Sequence, residues 1–118
     1  MTAVTVRPMS TLDKQLAKLL PSTRAWAGAA EFHADKVLES AQAAGEALTT
    51  HTRERHVERA VMSADDAEVM AHRARQCLAL AVRHNSEDVD GVRAAVYSAE
   101  ASAAWAARAA DRAAILYL

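Results

Sequence analysis

Apolar residues along this chain recur at spacings of three and four, the period of an α-helix with one buried face. The longest unbroken series lies in the C-terminal third and continues over four heptads. Its members are Val89, Val92, Val96, Ala99, Ala103, Ala106, Ala110, Ala113 and Tyr117. This series predicts a helix over about 87–117 that packs against its neighbours as the helices of a coiled coil do.

A second long series predicts a helix over about 22–48. Its stripe consists of Trp26, Ala30, His33, Val37, Ala41, Ala44 and Leu48. We expect a separate short helix before it that stops at Pro21, because proline disfavours the helical conformation of the residue that precedes it. We expect the helices over 22–48 and 87–117 to be antiparallel neighbours.

The middle of the chain predicts two further helices, separated by residues that favour helix caps. Residues 49–52 indicate a break, and residues 53–62 form a short charged helix candidate. Serine and aspartate in residues 63–66 are typical of helix N-termini and predict a new start there. The helix that follows has a seam of Ala67, Ala71, Ala74, Leu78 and Ala81. Residues 1–9 lack a helical period, so we expect an extended tail followed by a single domain over 10–118.

Composition supports an all-helical fold with small side chains in its seams. Alanine supplies 30 of the 61 hydrophobic residues in a chain of 118. Alanine is the best helix former and is depleted in strands, and three glycines with two prolines are too few for a hairpin-rich fold. We therefore expect an all-α, compact bundle of four to five helices with alanine-lined, close-packed seams.

Net charge, the N-terminal residues and the cysteine count limit the classes of partner and the cell compartment that we expect. A formal net charge of −1 disfavours nucleic-acid binding through bulk charge. Residues 1–9 do not resemble a signal peptide, and no run of apolar residues is long enough to span a membrane. The single cysteine, Cys77, forms no disulfide within the chain. We expect a cytoplasmic protein that binds neither nucleic acid nor a membrane.

No pattern of residues predicts catalysis, a cofactor or a metal. The chain has no glycine-rich phosphate loop and no nucleophile elbow. Cys77 lies beside an apolar seam, where a thiol is expected to be inert. Helical bundles bind metals through Glu-x-x-His pairs, whereas Glu68 and His72 are four residues apart. The sequence therefore predicts a protein that is not an enzyme and holds no cofactor or metal.

Two groups of residues are candidates for binding another protein. Arg53, Arg55 and Arg59 could pair with carboxylates in forked geometry, although a solvated helix face is the simpler interpretation. Tyr97, Trp105 and Leu116 lie off the seam of the last helix. They are either interface anchors or contacts with a further helix of the same bundle. The last helix is also a candidate homodimer surface.

His33 and Trp26 support an alternative hypothesis. Both fall on the predicted seam of the helix over 22–48, where His33 is either a hydrogen-bonded core residue or a group that responds to pH. A small ligand or a metal inside the bundle would then be centred on these two side chains. This alternative makes the chain a ligand-binding bundle rather than a protein-interaction factor.

The last helix resembles a known family. Residues 92–114, VRAAVYSAEASAAWAARAADRAA, are similar to alanine-rich helices of immunity proteins from bacterial toxin–immunity systems, and residues 24–31, RAWAGAAE, have the same style. The histidine-containing alanine repeats of that family are absent, so no binding residue is transferred. The resemblance implies a non-catalytic protein, bacterial or from a phage, that occludes a toxin or a host or defence protein.

Overall fold

Three long helices make up the part of the chain that the structure describes. The structure is a computed structural model that describes residues 11–83 and 89–117, with side chains from residue 20 onward. Helix α1 runs over Thr11–Glu46, α2 over Thr50–Arg83 and α3 over Val89–Tyr117. The all-α expectation is confirmed, whereas the expectation of four to five helices is wrong. The expected tail over residues 1–9 lies outside the described residues.

Helix α1 continues through Pro21, where the sequence predicts a break. Proline inside a helix removes one hydrogen bond and costs about 3 kcal/mol. Pro21 faces solvent, while Leu20 and Thr23 on either side of it pack inward. Inward packing of Leu20 and Thr23 beside the proline accompanies a continuous helix at this point.

Helix α2 also continues through residues 63–66, where the sequence predicts a new start. Ala60, Ala64 and Ala67 are buried in an unbroken series, and Asp65 and Asp66 are exposed between them. A capping side chain contributes about 1 kcal/mol, which is less than the loss that interrupting this buried series would cause. The two predicted middle helices are therefore one.

The break between α1 and α2 covers residues 47–49, so it begins two residues before the predicted break over 49–52 and overlaps it at Thr49. The backbone N–H of Thr52 donates to Oγ1 of Thr49 at 3.1 Å, and the two hydroxyl oxygens are 2.7 Å apart. A threonine that accepts from the amide three residues ahead is a helix N-cap. Thr49 thus fixes the start of α2 after a connection of only three residues.

Helices α1 and α3 are neighbours, but they run parallel rather than antiparallel. Arg24 lies beside Gly91, the Ser98 hydroxyl donates to Glu31 at 2.7 Å, and residues near the end of α1 meet the end of α3. Residue numbers therefore rise together along the two helices. The reason is that α2 is one long helix that returns the chain, which gives an up–down–up bundle.

Alanine dominates the core. Of the 20 hydrophobic residues that are buried among the described side chains, 15 are alanine. In α2 and α3 the buried residues follow the predicted seams, at spacings of three and four. Alanine-lined seams are thus confirmed, and such small side chains permit helices to approach closely.

The buried stripe of α1 differs from the predicted one. It consists of Thr23, Ala27, Ala30, Ala34, Val37 and Ala44. Trp26 and His33 flank this stripe and are only partly buried, while Leu48 follows the helix and is 97% exposed. The predicted and observed stripes share Ala30, Val37 and Ala44. The observed one places the smallest side chains where the three helices meet, which explains why it is adopted.

None of the described helices combines the length and the apolar character that a membrane-spanning segment needs.

Candidate interaction surface

One side of α3 carries exposed residues that repeat with the same spacing as the core. Trp105 is 52% exposed and Ile115 is 82% exposed. They belong to a heptad-spaced series of exposed residues that we call the α3 outer stripe: Ala101, Trp105, Arg108, Arg112 and Ile115. Leu116, which is 63% exposed, lies beside this stripe. An apolar and basic surface thus covers the C-terminal half of α3.

Helix α2 carries a matching series of exposed residues, which we call the α2 acidic stripe. Its members are Glu54, Glu58, Val61, Asp65 and Glu68. Exposed Met62 and Val69 lie next to it. Four carboxylates therefore lie along an edge of α2 that also presents aliphatic side chains.

An ion pair joins α2 to α3 near the end of the acidic stripe. Arg75 donates to both carboxylate oxygens of Glu100, from Nε at 3.0 Å and from Nη2 at 2.6 Å. Its guanidinium also lies 5.8 Å from the centre of the Tyr97 ring. Hydrogen bonding and charge attraction from Glu100 raise the pKa of Arg75 above its ordinary value. The pair connects α2 to α3 at the surface of the bundle, and Tyr97 lies on the side of α3 that faces α2.

An open groove of about 810 Å³ lies between α2 and α3. Its floor is formed by small residues, Ala71, Ala103, Ala104 and Ala107. Asp65 and Glu68 from the acidic stripe stand on one wall, and the Arg75–Glu100 pair closes one part of it. The groove stays open to solvent because the short alanine side chains on its floor do not fill it.

The three arginines of the predicted cluster do not form one surface. Arg53 is partly buried; its Nη2 donates to the carbonyl of Ala47 at 3.4 Å, and its Nε is buried without a partner in the described part of the chain. Arg55 and Arg59 are exposed on α2, one helical turn apart. Arg53 thus contacts the α1–α2 connection. Arg55 and Arg59 remain exposed to a partner.

Tyr97, Trp105 and Leu116 are all exposed, as residues outside the seam should be. Trp105 and Leu116 share a side of α3 because they are eleven residues, about three turns, apart. Tyr97 lies toward α2. The structure therefore groups Trp105 with Leu116 and places Tyr97 on an adjacent face.

His33 and Trp26 do not line the groove. The guanidinium of Arg73 lies 5.2 Å from the centre of the Trp26 ring, and His33 makes an edge-on contact with Phe32 at 5.5 Å. Trp26 thus contacts Arg73 of α2, and His33 contacts Phe32 of its own helix. No group of three metal-ligating side chains occurs within residues 20–83 and 89–117.

Sequence reasoning missed the charged residues that define the two outer stripes. In the sequence, Arg108 and Arg112 are charged residues within a mostly apolar segment, and residues 63–66, which include Asp65, predict a helix start. The available signal was the spacing of three and four, which these exposed residues follow as closely as the core does.

The chain matches no family model, and comparisons with curated proteins and with solved structures give no match.

Proposed function

We propose that this chain is a non-catalytic interaction protein that binds and occludes a partner protein, in the manner of an immunity protein, an antitoxin or a phage accessory factor. One observation carries the proposal: Trp105, Ile115 and Leu116 remain exposed on α3 although the alanine core beneath them is complete. Neighbouring large apolar side chains that stay exposed and are bordered by polar groups are typical of protein interfaces.

The chemistry of this surface suits binding. Tryptophan and arginine are enriched among the residues that dominate interface energies, and Trp105 lies beside Arg108 and Arg112 on α3. Arginine side chains supply forked hydrogen bonds to carboxylates at the rim of such a contact. We therefore expect a partner with an apolar pocket bordered by acidic groups.

Site-specific photo-crosslinking in the native cells tests this function. A photoreactive amino acid at position 105 or 116 is expected to capture one defined protein. The same amino acid at position 66 serves as the control. Asp66 is exposed, and it shares a face of α2 with Arg73, seven residues later. The guanidinium of Arg73 lies over the Trp26 ring of α1, so this face points away from the α3 outer stripe. A protein captured equally at all three positions, or no adduct at 105 and 116, would contradict the proposal.

Affinity for the captured protein gives the quantitative test. Trp105→Ala is expected to weaken binding about tenfold or more, because truncating an anchor residue commonly costs about 2 kcal/mol. Asp66→Ala should leave the Kd unchanged. The measurement is isothermal titration of the purified partner with each variant, and equal affinities would remove α3 from the interface.

A further inference from the structure

The α2 acidic stripe has no ion-pair partner inside the described chain. Ion pairs there join Lys36 to Glu39, Arg75 to Glu100 and Arg93 to Asp90. None involves Glu54, Glu58, Asp65 or Glu68. Four exposed carboxylates along about 21 Å of one helix edge repel one another. Their self-repulsion falls if basic groups of another surface approach them.

The α3 outer stripe has the opposite charge and is equally unpaired. Arg108 and Arg112 are exposed and form no ion pair with any described residue. Trp105 and Ile115 lie before and after them in the same stripe. This surface is therefore complementary to one that offers carboxylates together with aliphatic side chains.

The two stripes match in spacing and in length. Each contains five residues at successive spacings of four, three, four and three, and each spans 15 residues. Residues at this spacing lie along one face of a helix, so the two stripes present their charges at similar intervals. Val61, Met62 and Val69 on α2 supply aliphatic surface for Trp105 and Ile115. No ion pair joins the two stripes within the described chain, so the exposed charges of each stripe are open to a second molecule.

We propose that the chain associates with a second copy of itself, through the α3 outer stripe of one molecule and the α2 acidic stripe of the other. Arg108 and Arg112 of one copy then pair with Glu58, Asp65 and Glu68 of its neighbour. This inference does not depend on the proposed function, since it concerns the purified chain alone. A partner protein that uses Trp105 would compete with the second copy.

Sedimentation equilibrium of the full chain, from about 1 µM to about 1 mM, tests the proposal. Self-association is expected at about 0.05 M NaCl and should weaken at about 0.5 M, because salt screens exposed charge pairs. The double variant R108E/R112E, and separately the double variant E58R/D65R, should each weaken association about tenfold or more. D66R is the matched control, and it should behave as the unmodified chain.

Mixing the two charge-reversed proteins gives the decisive result. Each is expected to associate poorly alone, whereas the mixture should associate, because both contacts between unlike copies then join opposite charges. Circular dichroism of each variant checks that it is folded. A monomer at every concentration, association that strengthens with salt, or a mixture that stays dissociated would overturn the proposal. A monomer whose position 105 captures another protein in cells would assign the α3 outer stripe to that protein.

Discussion

Gly45, near the end of α1, lies close to the ring of Tyr117 at the end of α3. A Cβ atom added at Gly45 would lie 2.8 Å from the Tyr117 hydroxyl oxygen and 3.3 Å from the adjoining ring carbon. The missing side chain of Gly45 thus creates the space in which the Tyr117 ring rests at the end of α3. Gly28 differs, because an added Cβ would meet nothing within 4 Å.

The surroundings of Gly28 and Gly45 predict that the same substitution, glycine to alanine, changes the free energy of unfolding differently at the two positions. Gly28→Ala should raise the free energy of unfolding by about 1 kcal/mol, since alanine is the better helix former and the site is open. Gly45→Ala gains the same propensity but displaces Tyr117, so its net gain should be smaller or negative. Urea unfolding of the two variants measures the difference, and equal stabilisation would show that Tyr117 does not pack on Gly45.

Each helix presents alanine to the other two, and this arrangement limits which substitutions its core accepts. Ala103 and Ala106 are buried in α3. Ala103→Leu or Ala106→Leu should lower the free energy of unfolding by about 1–3 kcal/mol, because extra methylene groups force closely packed helices apart. Ala25→Leu, at an exposed position of α1, is the control and should change it by less than about 0.5 kcal/mol. Denaturant unfolding checks all three, and neutral core variants would mean that this seam faces solvent.

The spacing in α3 predicts its core because one series, with valine at 92 and 96 and alanine from 99 to 113, continues without a break. In α1 the abundance of alanine allows two stripes, and the sequence does not show which one the other helices will cover. The predicted break at residues 63–66 is absent because a capping preference of about 1 kcal/mol is smaller than the burial of the continuous α2 seam. Pro21 does not end α1 either, and Leu20 and Thr23 pack inward beside it. Exposure of Trp105 and Leu116 follows from their positions outside the seam. The Arg75–Glu100 pair depends on the register of α2 against α3, which no local pattern specifies.

The whole molecule is a narrow bundle of rods, of which α1 alone is about 54 Å long. Because only three helices pack together in the described part of the chain, each of them keeps a wide outer surface. The small side chains of the core also remove little apolar area from water. Contacts outside the chain can therefore add a considerable part of its stability. Association through the two outer stripes would link folding to protein concentration.

Thermal unfolding should reveal that link. Any species that binds only the folded chain stabilises it by mass action, so the Tm should rise by a few degrees for each tenfold increase in concentration. The R108E/R112E variant should lose this dependence, because its α3 outer stripe repels the acidic stripe of a second copy. D66R should retain it. A Tm that is constant with concentration in the unmodified chain would mean that the bundle unfolds as a monomer, and its narrow alanine core would then be sufficient for folding without a second copy.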